Sequence, residues 1–443
     1  MRSAKLRSSV ASDATRDPFD AFIAANERKQ RVLYPGRGRR VVDAQLALRR
    51  PEAFIKSDNL SCHFLINASS SALGLNQLQD ICVSLAAARL TVNVNLERWP
   101  TVRAVNWRAE VGWRLGCNFT PSTSGNQLET WQEETFDLAT IDRELGWAAH
   151  IGMNTIRLYL HDLLFEHSSA DFLARLDAVF AVADSHGIGI VPVLFDGVWH
   201  PKPRLGKQPD PVPCLHNSTW VQGPGSEIFY DRSRWPRLRP YVQEVLSRFK
   251  DDPRVIAWDL FNEPDQIDTV TLKIGSRHDK NLIATELVSD VFDWARQVET
   301  TQPLTVGIWE YNDDSQPADN PLNHLILERS DIISFHCYEP RTKLCAVIKE
   351  LQVHGRPLLC TEWLARSAGS SVDLLEVFAD SGVGALNWGL VDGRTQTRFP
   401  WRSWTEPVDN NEPWFHELLH ADGVPYDAEE IKVFRRLADQ HID

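Results

Sequence analysis

The stretch Trp258-Asp259-Leu260-Phe261-Asn262-Glu263-Pro264-Asp265, WDLFNEPD, starts as an apolar run suited to a core and ends with a carboxylate ahead of a proline. Pro264 disfavours helical backbone at Glu263 and has no N–H to give to a ladder, so a strand begun near residue 254 must finish here. Glu263 is therefore expected on the rim of a sheet.

Outward from this point, similar apolar segments recur. GWRLGCN (112–118), NTIRLYL (154–160), IGIVPVLF (188–195), RVIAWDLFN (254–262), PLTVGIW (303–309), DIISFHCY (331–338), RPLLCTE (356–362) and GVGALNW (382–388) read as eight strands. Helical patterns separate them. Phe172, Leu176, Val179, Phe180 and Ala183 share one helical face over 169–186, stopped by Gly187, and Leu287, Val291, Phe292 and Ala295 share another over 283–298. Strands apolar on both faces that alternate with helices imply a parallel sheet covered by helices. Eight βα units over about 280 residues predict an α/β fold of the closed (β/α)8 TIM barrel type. No Gly-rich phosphate loop follows any strand, which argues against nucleotide binding.

Residues 1–105 do not join the pattern and are expected to form an N-terminal extension, either a disordered leader or a small packing element. Residues 106–443 are expected to be the catalytic barrel, with a mouth loop and a closing helix after about residue 400.

The net charge of −13 is uneven: residues 1–50 hold twelve Lys/Arg against five acids, so the rest carries −20. An acidic body argues against nucleic acid or an anionic membrane as a partner. No apolar run is long enough to span a bilayer. The seven cysteines, Cys62, Cys82, Cys117, Cys214, Cys337, Cys345 and Cys360, form no CxxC pair and are expected as reduced thiols. The opening MRSAKLRSSVASDATRD has positive charge without a following apolar segment, so a cytoplasmic location is expected, and secretion only if a native signal has been removed. The sequence leaves the oligomeric state open.

The strand ends gather the chemistry: Asn118, Arg157, Asp196, Asn262-Glu263, Trp309-Glu310, His336, Tyr338, Glu362 and Trp388. Glutamates closing strands four and seven face each other across a barrel mouth. Two carboxylates on one pocket suit glycosidic cleavage, one protonating the departing oxygen and the other attacking or activating water.

On these residues, 112–390 resembles a glycoside hydrolase of the (β/α)8 clan that includes the family 5 cellulases and mannanases. The resemblance rests on Asn262-Glu263-Pro264 closing strand four, Thr361-Glu362-Trp363 closing strand seven, His336-x-Tyr338 and Asn387-Trp388. It implies Glu263 as acid/base and Glu362 as nucleophile of a retaining reaction on a β-linked glucan, mannan or xylan, without cofactor or metal. Arg157, Asn262, His336, Tyr338 and Trp388 would support the reaction, with Asn118, Asp196, Trp309 and Trp363 as further substrate-binding candidates. Arg157 and Tyr338 are expected to keep Glu362 ionised, and burial or the charge of Glu362 to keep Glu263 protonated. The chain departs from the family where Phe195-Asp196-Gly197 replaces a histidine after strand three and where Trp363-Leu364 follows the nucleophile.

Asp259 is expected to be a buried structural carboxylate, and Glu129 and Glu310 ordinary rim groups or sugar ligands. Trp131, Trp199, Trp220, Trp363, Trp401 and Trp404 are candidate sugar platforms. The long loops 196–225 and 391–415 are expected to wall the substrate site, which leaves room for an exo-acting enzyme on small β-glycosides. Two rivals remain: a non-catalytic carbohydrate-binding barrel, and a metal-dependent hydrolase using His161, Asp162, His200 and His336, whose spacing matches no known ligand motif.

Overall fold

The computed structural model describes residues 97–266, 277–309, 311 and 320–441. The expected extension lies outside the described residues up to 96, as do Glu310, Cys62 and Cys82.

Eight parallel strands form the barrel: β1 Leu115–Phe119, β2 Thr155–Tyr159, β3 Gly189–Asp196, β4 Trp258–Asn262, β5 Leu304–Gly307, β6 Ile333–His336, β7 Leu358–Glu362 and β8 Gly384–Trp388. They run in the order β5-β4-β3-β2-β1-β8-β7-β6. The ring is closed between β5 and β6 by a single parallel bridge, Ile308 to Phe335, where His336 N donates to Ile308 O at 2.9 Å. All residues of β1 to β7 are buried, as strands covered on both faces require.

The helices follow their apolar periodicity. Ser169–Ser185 buries Phe172, Leu176, Val179, Phe180 and Ala183 as its spacing predicts. Arg277–Arg296 turns Leu287, Val291, Phe292 and Ala295 into the core. The closing helix is Ala428–His441, which buries Ile431, Phe434, Leu437 and Ala438. Cys117, Cys214, Cys337, Cys345 and Cys360 are free thiols.

Two expectations need correction. The first strand begins at Leu115, because Gly112 ends a preceding helix, Thr101–Val111, rather than starting a strand. The expected division at 105 therefore falls inside a helix. That helix and Trp99 cap the N-terminal ends of the strands, packing Trp99, Ala104 and Trp107 against Val191, Ile256, Ala257 and Ile332. Asp331 ties the cap down, accepting from Trp99 N at 2.7 Å, Leu304 N at 2.8 Å and the Arg296 guanidinium. With one end plugged, the carboxyl ends of the strands are the face left for chemistry.

Candidate active site

Arg157 is the centre of the polar cluster. It lies within β2 with no exposed surface, and Tyr159, two residues on, shares its face of the strand. Its Nη1 donates to Glu362 Oε1 at 2.7 Å, Asn118 Oδ1 at 2.9 Å and Tyr159 Oη at 2.5 Å. Nη2 donates to Asn262 Oδ1 at 2.7 Å, and Nε and Nη2 hold Asp259 Oδ2 at 3.0 and 2.8 Å. Burial opposes the charge, but Tyr159, Asp259 and Glu362 raise the guanidinium above its ordinary value. Asp259 is the counter-ion beneath it, as expected of a buried structural carboxylate.

Glu362, at the end of β7, is almost fully tied. Oε1 also accepts from Tyr159 Oη at 2.8 Å, and Oε2 accepts from Tyr338 Oη at 2.7 Å. Burial pushes its carboxyl up, while Arg157, Tyr338 and Tyr159 pull it back. Glu263 has no such cation. Its contact is His336 Nδ1 at 2.6 Å, and burial, then the charges of Glu362 and Asp196, hold it well above the ordinary carboxyl range. His336 is driven well below its usual value by burial and by Arg157, so it stands neutral against Glu263. Of the two glutamates, Glu362 gives up its proton first.

The backbone that presents Glu263 is strained. Its φ is +42°, a left-handed conformation that a side-chain-bearing residue adopts at a cost on the order of 1 kcal/mol or more. Gly197 makes the placement possible, because a Cβ there would stand 2.3 Å from Glu263 O.

Oxygens of Glu263 and Glu362 and a ring nitrogen of His336 all lie within 4.8 Å of one another, the one group of three among the described residues that could hold a cation. Arg157, already on Glu362, would repel a second positive charge there. His161 and His200 instead meet backbone carbonyls, of Gln222 at 2.9 Å and Ser218 at 2.7 Å.

Not every candidate reaches the mouth. Asn118 Nδ2 donates to Thr361 O and Asn387 O while Oδ1 holds Arg157, so its bonding capacity is spent within the cluster. Asp196 accepts from Trp220 Nε1 at 2.6 Å, Gln127 Nε2 and Asn262 Nδ2 at 3.0 Å each, and Val198 N at 3.2 Å, leaving little for a substrate. Burial pushes Asp196 up to about 7 against the pull of Asn262 and Trp220. Trp363 is a correction: it has no exposed surface and packs on Phe378 and Phe434, because the chain turns inward after Glu362. Trp131 and Trp220 are likewise buried, whereas Trp199, Trp309, Trp401 and Trp404 are half-buried. Trp199 stacks on Trp404 at 5.3 Å, and Trp401 meets Tyr338 edge-on at 5.0 Å, so the loops 196–225 and 391–415 do meet above the site. Trp388 leans on Tyr159 and Trp220. Glu129 pairs with Arg394 at 3.0 Å.

Sequence reasoning passed over Tyr159. Its signal was the alternation of β2, which puts it on the same side as Arg157.

With this geometry in place, the relatives are informative. The model of Cellulase (glycosyl hydrolase family 5) matches residues 120–393, which hold both glutamates. A probable mannan endo-1,4-beta-mannosidase A-1 from Aspergillus terreus is 29% identical over 102 residues, and mannan endo-1,4-beta-mannosidase F from Aspergillus clavatus is 27% identical over 118 residues. These alignments span 22% and 26% of this chain and 23% and 24% of the relatives. Among solved structures, a GH5_18 protein from Streptomyces cattleya in complex with Manb1-4GlcNAc has the same fold, with a TM-score of 0.52 at 14% identity over 74% of this chain and 81% of that one. The family match covers more than half of the chain and holds Arg157, His336, Tyr338 and both glutamates: the chain belongs to glycosyl hydrolase family 5.

Proposed function

We propose that the protein is a retaining β-glycoside hydrolase acting on β-1,4-mannan-type polysaccharides or oligosaccharides, with Glu263 as acid/base and Glu362 as nucleophile. The observation that carries this reading is the close pair of carboxylates in opposite surroundings, one held by a guanidinium and two phenols, the other dry and against a neutral imidazole. An oxygen of each carboxylate lies within 4.8 Å of the other, so both can reach one anomeric centre, as double displacement requires. The mannosidase relatives favour mannan over glucan or xylan.

In the first step Glu362 attacks the anomeric carbon while the glycosidic C–O bond breaks and Glu263 passes its proton to the leaving oxygen. Glu263, now a carboxylate, then takes a proton from water as that water's oxygen displaces Glu362. The Arg157 charge keeps Glu362 a viable leaving group in this second step. Asn262 keeps one Nδ2 hydrogen beyond its bond to Asp196, which suits a sugar 2-hydroxyl.

The test is hydrolysis of aryl β-glycosides and β-mannan by wild type, Glu263→Ala and Glu362→Ala, with azide added to the variants. A β-glycosyl azide from the first and an α-glycosyl azide from the second are expected, with wild-type rates insensitive to a chelator. Full activity in both variants would remove the reading.

A further inference from the structure

Glu263 follows β4, and in the ring of eight strands β8 lies opposite β4 with β1 beside it. The acid of a glycosidase stands on the side of the leaving group, so further sugars on the non-reducing side of the cleaved bond must run away from β4, over β8 and β1. What stands there decides how many of them fit.

Three segments occupy that side, and they are bonded to one another. The loop after β8 joins the loop after β3: Asn217 N donates to Thr395 O at 2.8 Å, Cys214 N to Gln396 Oε1 at 3.0 Å, Gln396 Nε2 to Val212 O at 2.8 Å and Trp404 Nε1 to His216 O at 2.8 Å. It also joins the segment after β1, where Arg394 N donates to Ser122 O at 3.0 Å and a Cβ on Gly393 would stand 2.5 Å from Ser122 Cα. Asn126 Nδ2 ties the segment after β1 to the loop after β3, donating to Thr219 O at 2.8 Å. The Arg394 guanidinium pins all three together through Glu129 at 3.0 Å and Asp210 at 3.4 Å.

The space between these segments and the strand ends is taken. Trp220, 1% exposed, lies edge-on to Tyr159 at 5.2 Å and to Trp388 at 5.9 Å. The hollow bounded by Asn118, Tyr159, Trp388, Thr395, Thr397 and Glu417 has room for about one water molecule, far short of a pyranose. Opening the wall for a second sugar would break several hydrogen bonds together, each contributing roughly 0.5–1.5 kcal/mol, so the wall is a fixed boundary of the site.

We propose that this wall ends the site one sugar beyond the cleaved bond, which makes the enzyme exo-acting: it removes single sugar units from the non-reducing ends of β-linked chains. Each cycle consumes one water and leaves the chain one unit shorter. The proposal rests on the retaining-glycosidase reading, in which Glu263 and Glu362 mark the bond that is cut.

The experiment follows the first products that wild type and Glu263→Ala form from mannohexaose, cellohexaose and xylohexaose, each labelled at its reducing end with 2-aminobenzamide. Wild type should give free monosaccharide and a labelled pentasaccharide first, then a labelled ladder descending one unit at a time. p-Nitrophenyl β-D-mannobioside should release mannose at once and p-nitrophenol only after a lag, whereas p-nitrophenyl β-D-mannoside should show no lag. Free disaccharide or trisaccharide among the first products, or p-nitrophenol released without a lag together with mannobiose, overturns the inference while leaving the carboxylate mechanism standing. A monosaccharide released from a chain other than mannohexaose supports the inference and corrects the sugar. Undiminished cleavage of the hexasaccharides by Glu263→Ala would instead overturn the mechanism on which the inference rests.

Discussion

Tyr159 donates its hydroxyl hydrogen to Glu362 Oε1 at 2.8 Å, the same oxygen that Arg157 Nη1 holds at 2.7 Å. The phenol thus stabilises the ionised Glu362 carboxylate. Tyr159→Phe removes one charge-assisted bond of about 1.5–3 kcal/mol and should lower kcat roughly 10- to 100-fold. With less to stabilise its charge, Glu362 should ionise at higher pH, so the acid limb of kcat/KM should move up. A limb that stays put would mean the bond does not act on the ionisation of Glu362.

Asp259 is the counter-ion of Arg157 in a region with no exposed surface. Asp259→Ala leaves the guanidinium with only Glu362 as a charged partner and should destabilise the fold by about 3–5 kcal/mol. Urea unfolding should show a lower midpoint with an unchanged slope. Equal midpoints would mean that Glu362 alone balances the charge.

Glu417 links pH to stability. Its folded-state value, about 8, lies above its ordinary 4.5, so the folded chain holds the proton longer than the unfolded one. The stabilisation from this group is complete at low pH and falls between about 4.5 and 8, by about 1.4 kcal/mol per pH unit at most. Glu417→Gln, which cannot ionise, should therefore gain on wild type as pH rises through that window and level off above it. A constant difference in denaturation midpoint would contradict this.

The tryptophans separate by role. Trp363→Ala opens a core cavity against Phe378 and Phe434 and should cost about 3–5 kcal/mol with KM little changed in the protein that remains folded. Trp404→Ala, in the half-buried stack with Trp199, should raise KM for mannan oligosaccharides several-fold and cost less stability. The reverse pattern in melting curves and initial rates would overturn the assignment.

The strand pattern was legible because eight apolar runs must be covered on both faces, and the glutamates were legible because proline and the strand ends locate them. Burial after the strands was not. Trp363 follows Glu362 directly and reads as a mouth aromatic, yet Leu364, with φ of +76°, follows as the chain turns inward. Asn118 and Asp196 stand at strand ends like ligands, but neighbours from four or more segments, among them Thr361, Asn387, Trp220 and Gln127, consume their bonding capacity. Those partners are far away in sequence, and no local pattern announces them.

The left-handed backbone at Glu263 sets the demands of the proposed reaction against those of durability. A glycine would relieve the torsion, and removing the buried acid would relieve its desolvation, so Glu263→Gly should melt above Glu263→Ala, which keeps the torsional cost. A selection for heat resistance that never asks for turnover would then drift toward glycine at this position and discard the enzyme while improving the protein.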